Sequence, residues 1–218
     1  MDIYAAVEKR FRGFSLRFDA RWSGPALLLG PNGSGKSTVL RCLSGVYSCK
    51  SRVEIDGMPA GPGLFYYLPP APRLPPTVTV GEYLQHLSEV FQRDIRPRFG
   101  VEDFLAKRGA ELSSGMAARV LLTVAASLDK IPLLDEPLSY LETRFRVELV
   151  RSLAGRPFIL ATHDPAPFLV LKPTLIYIQE GRVTSVASWE KAKAAYLEAC
   201  GDEICVKWGE MRYVVGYG

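Results

Sequence analysis

Apolar and polar residues alternate along IYAAVEK (3–9) and FSLRFDA (14–20), the period of two produced by a strand with one buried face. A turn around Gly13 joins them. ALLLG (26–30) is instead a continuous apolar run, as a strand buried on both faces requires. It passes through a glycine-rich segment into a helical pattern, STVLRCLSGVY. RVEIDG (52–57) and LFYYL (64–68) read as two further strands. From residue 78 the period lengthens: VTVGEYLQHLSEVF (78–91) puts Val80, Leu84, Leu87 and Phe91 on one helical face, with Thr79 placed to cap it. VEDFLAKR (101–108) predicts a shorter helix and SGMAARVLLTVAASL (114–128) a long one.

Beyond Pro132, strand and helix alternate through PLLD, LETRFRVELVRSL (141–153) and PFILAT (157–162). LIYIQEGRVTSV (175–186) predicts a hairpin turning at Glu180 and Gly181. A helix near 188–199 and a hairpin in EICVKWGEMRYVV complete the reading. The pattern predicts an α/β fold built on a mostly parallel sheet, with N-terminal antiparallel strands and a small helical lobe. One domain is expected over 1–218, with its core at about 1–76 and 129–187, the lobe at 77–128 and an extension at 188–218.

Composition changes this picture little. Hydrophobic residues make up 48% of the 218 and charged residues 23%, ordinary for a globular protein. The formal net charge of +4 is a mild excess, and no nucleic-acid partner is expected from it. No apolar run reaches the roughly 18 residues of a membrane span, and MDIYAAVEKRF lacks the layout of a signal peptide. A cytoplasmic chain is expected. Cys42, Cys49, Cys200 and Cys205 form no C-x-x-C pair, and only two histidines accompany them, which argues against zinc. Reduced, buried thiols are expected.

The chemistry begins in GPNGSGKST (30–38), which matches G-x-x-x-x-G-K-[ST] between a predicted strand and a predicted helix. Glycines 30, 33 and 35 allow the backbone to curl so that its N–H groups face phosphate oxygens, and the helix N-terminus adds partial positive charge. Nucleotide binding by Gly30, Pro31, Asn32, Gly33, Ser34, Gly35, Lys36, Ser37 and Thr38 follows. Lys36 would reach the β- and γ-phosphates and Ser37 would offer its hydroxyl to Mg2+. In KIPLLDEP (130–137), an apolar strand delivers Asp135 to its C-terminal end as a second metal-holding group. Glu136 beside it is placed to act as general base toward water. LSSGM (112–116) opens a helix about twenty residues ahead of LLDEP, and THD (162–164) ends the next apolar strand.

This ordered set resembles the ATP-binding-cassette (ABC) ATPase family over residues 3–186. GPNGSGKST is similar to its Walker A, LSSGM to its LSGGQ signature, PLLDEP to its Walker B, LSYLE (138–142) to its D-loop and ATHD to its switch-histidine loop. The resemblance implies Mg2+-dependent ATP hydrolysis in a head-to-tail homo- or heterodimer, with each ATP between one subunit's Walker motifs and the other's signature. It implies that Ser113, Ser114, Gly115 and Met116 face the partner's ATP and that His163 contacts the γ-phosphate in its own subunit. Ser114 and Met116 stand where the family most often has Gly and Gln, Glu142 where it has Asp, and Tyr140 where it has a small residue. Phe11 is the candidate to stack on adenine, with Tyr4 and Phe14 as rivals.

The implied role is the nucleotide-binding subunit of a transporter, peripheral at the cytoplasmic face of the membrane beside a separate transmembrane permease. The alternative is a soluble ABC ATPase, as in iron–sulfur assembly. A module that holds ATP without cleaving it is opposed by Glu136 and His163. In LFYYLPPAPRLPPT (64–77) the resemblance places a glutamine that reaches the metal, but the residue here is Pro70, with neither a side-chain amide nor a backbone N–H. Gln85 and Gln92 belong to the following predicted helix. The proline patch is therefore expected to be a stiff hinge between core and lobe, and turnover is expected to be slow or to depend on a more complete partner ATPase.

Overall fold

The computed structural model describes residues 1–191 and the backbone of three short strands beyond them. A ten-stranded sheet runs through the molecule in the order β5-β4-β1-β2-β10-β9-β3-β8-β7-β6. Its antiparallel wing contains β1 (Asp2–Phe11), β2 (Phe14–Ser23), β4 (Lys50–Ile55) and β5 (Met58–Pro59). Alternating burial along β1 and β2 follows from their one-sided packing.

The other half is parallel: β9 (Thr174–Gln179), β3 (Ala26–Leu29), β8 (Ile159–Ala161), β7 (Ile131–Asp135) and β6 (Phe65–Leu68). All four residues of β3 and all five of β7 are buried, because helices and strands cover both faces. Leu27 and Leu29 join one hydrophobic cluster while Leu28 joins the other, as the pleat demands. The first cluster takes in α2 (Val80–Phe91), α3 (Ser114–Ser127) and α4 (Thr143–Leu153); the second takes in α1 (Lys36–Leu43). β10 (Arg182–Ala187) pairs antiparallel with β9, closing the expected hairpin at Glu180 and Gly181.

Helix ends follow the expected chemistry. Thr79 caps α2 in a capping box with Glu82, and Ser113 Oγ accepts the Met116 N–H at the start of α3. The helix expected at 101–108 is only a 3-10 turn, Val101–Phe104. Gly100 enters it in the left-handed region, and the backbone at 105–109 bonds instead to the start of α2, with Gly81 N–H donating to Leu105 O and Val80 N–H to Lys107 O.

Two further expectations are corrected. The helix placed near 188–199 covers residues 189–191, and Leu197–Cys200 is β11, paired antiparallel with β12 (Glu203–Trp208). Ladder pairing with the next strand overrides the local helical pattern. Residues 192–196 of that helix lie outside the described residues. The hairpin expected in EICVKWGEMRYVV is present as β12 and β13 (Met211–Tyr217). Cys42 and Cys49 are not reduced thiols but form a disulfide. α1 ends at Leu43 and Gly45 turns the chain at φ 77°, returning Cys49 to a Cα–Cα distance of 5.6 Å from Cys42, within the reach of a disulfide. The side chains of Cys200 and Cys205 lie outside the described residues.

Candidate functional site

The strongest convergence of polar groups lies at the C-terminal ends of β3, β7 and β8, where open α/β sheets place their ligands. Gly30 has φ 140° and its missing Cβ would overlap the Ile178 carbonyl, so only glycine lets β3 turn into the loop here. Gly35, at φ 108°, precedes α1 and packs against Leu16 and Phe14. The N–H of Gly181 donates to Ser34 O at 3.0 Å, so the β9–β10 turn buttresses the loop from outside.

Lys36 folds back over the loop and donates to the carbonyls of Gly30 (2.7 Å) and Pro31 (3.0 Å). Burial pushes its ammonium below the usual lysine range, against the opposing pull of Glu136 and Asp135. An ammonium bonded to two loop carbonyls in a partly dehydrated cradle can exchange them for the oxygens of a polyanion. Ser34 Oγ is buried and, among the described residues, has no hydrogen-bond partner, leaving a donor for a ligand oxygen in the same loop.

Asp135 is fully buried at the end of β7. Ser37 Oγ donates to its Oδ1 and Tyr67 OH to its Oδ2, each at 2.9 Å. Burial raises the carboxyl above the usual carboxylate range; these hydrogen bonds oppose the shift. Burial likewise pushes the Tyr67 hydroxyl up to about 12, so it remains a donor. A hydroxyl and a carboxylate oxygen within 2.9 Å, facing a phosphate cradle, are the hard-oxygen set that suits Mg2+. No group of three or more His, Cys, Asp or Glu able to hold a metal is present among the described residues. Full coordination here would therefore draw on ligand oxygens and water.

Glu136 follows in the left-handed region at φ 50°, a conformation uncommon for a non-glycine residue and frequent at functional sites. Its N–H donates to Ala161 O at 2.9 Å, tying the β7 and β8 ends together. Its Oε2 accepts the His163 N–H at 3.3 Å and lies 2.8 Å from His163 Nδ1. The His163 side chain is 68% exposed and Glu136 23%, so the pair sits at the rim.

A cleft of about 430 Å3 joins Phe11, Asn32, Lys36, Tyr47, Pro70 and Glu136, and includes Gly33, Ser34, Gly35, Ser37, Thr38 and Asp135. It shares Phe11 and Phe14 with a broader cleft of about 1180 Å3 that includes Pro31, Arg10, Arg17 and Arg182. Phe11 is exposed at the mouth, with ring centroids 6.3 Å from Phe14 and 6.0 Å from Tyr47. Tyr4 bonds to Asp19 and lies under Arg21, away from both clefts. Pro70 lines the cleft. Gln85 bonds to Glu89 on the exposed face of α2, and Gln92 caps that helix. Sequence reasoning missed Tyr47 and Tyr67, whose only signal was an aromatic in a loop and an aromatic in a strand.

Ser113, Ser114, Gly115 and Met116 line a separate cleft of about 450 Å3 with Tyr140 and Glu142. A Cβ on Gly115 would stand 2.6 Å from Tyr140 O, so the loop after β7 seats directly on the start of α3. This cleft shares no lining residue with the phosphate cradle. Within one chain the two clefts are separate.

The sequence profile of the ABC transporter family matches residues 15–139, more than half the chain. The chain belongs to the ABC transporter family. This cassette is 30% identical over 84% of its length to the Fe(3+) ions import ATP-binding protein of Pseudomonas fluorescens, covering 60% of that protein. It is 31% identical over 76% of its length to an sn-glycerol-3-phosphate import ATP-binding protein of Rhizobium johnstonii, covering 51%. It is 30% identical over 74% to the spermidine/putrescine import ATP-binding protein of Thermotoga maritima, covering 50%. The cassette thus spans half to three fifths of these relatives. Among solved structures, the ATP-binding subunit of an ABC transporter aligns with a TM-score of 0.76 at 21% identity, covering 89% of this chain and 92% of that one. A dimeric ATP-binding cassette bound to ADP and Pi aligns at 0.69 and 19%, covering 87% and 99%. These structures share the ABC fold.

Proposed function

We propose that this ABC cassette binds and hydrolyses ATP as the motor subunit of an importer, working on a separate transmembrane permease. The observation that carries the reading is the convergence of Lys36, Ser37, Asp135, Glu136 and His163 on one cradle, with the signature exposed on a second cleft. Two copies arranged head to tail complete two sites, each with a cradle from one subunit and Ser113, Ser114, Gly115 and Met116 from the other. Membrane attachment comes through the permease: among the described residues no helix is long and apolar enough to cross a membrane. The relatives named above are all import ATP-binding proteins, which favours this reading over a cassette detached from transport. Their cargoes differ, so the motor is the shared property.

In the reaction, water attacks the γ-phosphorus, the bond between that phosphorus and the ADP oxygen breaks, and ADP and phosphate are released. Lys36 exchanges its loop carbonyls for phosphate oxygens, and the loop N–H groups hold the triphosphate for in-line attack. Glu136 takes the proton of the attacking water. His163, bonded to the same carboxylate, orients it and faces the γ-phosphate. Ser37 and Asp135 would hold Mg2+, which when bound supplies charge neutralisation to the phosphates. Phe11 packs on the adenine.

The test is ATPase activity with Glu136→Gln beside the wild-type chain. The variant is expected to bind ATP, lose turnover by about a hundredfold or more, and elute as an ATP-dependent dimer. Wild-type turnover by the variant would remove Glu136 from its role, and absence of ATP binding by the wild-type chain would overturn the reading as a whole.

A further inference from the structure

We infer that Tyr67 is a positioning residue for the metal-holding Asp135, and that Arg41 fixes it by linking it to Tyr47 at the nucleotide cleft. The chain of contacts is continuous. Tyr67 OH donates to Asp135 Oδ2 at 2.9 Å and accepts from Arg41 Nε at 3.1 Å. Arg41 Nη1 donates to Tyr47 OH at 2.9 Å, and the guanidinium carbon lies 5.5 Å from that ring's centroid. Tyr47 in turn packs edge-on against Phe11.

Three local features make this a built arrangement. Arg41 lies on α1 one turn beyond Ser37, so both carboxylate oxygens are addressed from the same helix, one directly and one through Tyr67. The Tyr47 N–H donates to Arg41 O at 2.9 Å, and the Cys42–Cys49 disulfide closes the segment that carries Tyr47. Tyr67 sits in β6, paired with Leu133 of β7, so the sheet sets its distance from Asp135.

The functional consequence concerns the carboxylate's rotation. With Tyr67 holding Oδ2, Oδ1 is the oxygen turned toward Ser37 and the phosphate cradle. Pro70, three residues further along, supplies no donor to this carboxylate. The polar reach from the β6 end to the metal site is therefore Tyr67.

This inference rests on the ATPase reading above and is tested separately from it. ATP binding is measured by calorimetry on the full chain, with Mg2+ titrated in and again with EDTA, for wild type, Tyr67→Phe and Arg41→Met. The Tyr67→Phe variant keeps the ring and loses only the hydroxyl. It is expected to need about tenfold more Mg2+ for half-maximal stimulation of binding and to bind ATP in EDTA as wild type does, the tenfold being what one hydrogen bond to a charged group carries. Arg41→Met is expected to shift the Mg2+ requirement in the same direction by a smaller factor. An unchanged Mg2+ requirement in Tyr67→Phe overturns the inference, as does an equal loss of binding with and without Mg2+, which would mark Tyr67 as a packing residue. Failure of the wild-type chain to bind ATP at all would instead count against the ATPase reading.

Discussion

Glu136 Oε2 lies 2.8 Å from His163 Nδ1, and the backbone N–H of His163 points at the same oxygen from 3.3 Å. The residue just after one parallel strand thus clasps the loop that follows its neighbour. One carboxylate oxygen is committed to His163, leaving the other for the proton of water in the mechanism proposed above. Replacing His163 with Ala removes the 2.8 Å side-chain contact and leaves only the longer backbone one. Steady-state ATPase is expected to fall by about 10- to 100-fold, while ATP binding by calorimetry changes little; a rate within twofold of wild type would separate His163 from the chemistry.

Asp135 is a carboxylate held in a fully buried place, which should weaken the fold that carries it. Burial raises its carboxyl above the ordinary range. The ionised form is then less favourable in the folded chain than in the unfolded one, and stability of the nucleotide-free chain should rise as pH falls through the raised value toward the ordinary carboxylate range. Asp135→Asn removes this penalty at neutral pH. Its melting temperature is expected to exceed that of wild type at pH 7, with the gap narrowing on acidification, while Mg2+ no longer strengthens ATP binding. A lower melting temperature at pH 7 would contradict the electrostatic account.

Gly115 and Tyr140 O leave no room for a side chain between α3 and the loop after β7. Gly115→Ala must displace one of them, at about 1–3 kcal/mol. The cradle lies in a separate cleft, so monomeric ATP binding is expected to stay at wild-type affinity while ATP-driven dimerisation, read by light scattering with the Glu136→Gln background, is lost. Normal dimerisation would show that the small residue is dispensable there.

The Cys42–Cys49 bridge closes a short loop with a sequence separation of 7. Loop-closure entropy for such a length gives about 2–3 kcal/mol, or roughly 5–10 °C in melting temperature for a chain of this size. Cys42→Ser, or reduction with dithiothreitol, is expected to lower the melting temperature by that much and to weaken ATP binding modestly, because the loop carries Tyr47. Identical melting with and without reductant would exclude a stabilising bridge.

The glycine loop between β3 and α1 was legible because its physics is local. Glycines 30, 33 and 35 take positive φ within a few residues of each other, α1 begins at Lys36, and the apolar run of β3 leads straight in. The same holds for the capping of α2 by Thr79 and α3 by Ser113, and for the ends of β7 and β8 that carry Asp135, Glu136 and His163. The 3-10 turn at Val101–Phe104 and the strand at Leu197–Cys200 were misread as helices, because pairing with distant backbone prevailed over local periodicity.

What the chain's order of residues determined by itself was the set of chemical groups and the strand or helix that carries each, since hydrophobic period and glycine placement act over a few residues. What only the tertiary structure decided was which distant groups meet. Tyr67 reaches Asp135 across 68 residues, Ser37 reaches it across 98, and Gly115 rests on Tyr140. Those distances depend on the register of β6 on β7 and on the packing of α1 and α3 against the sheet. Hydrophobic burial drives that packing without regard to the polar groups it brings together.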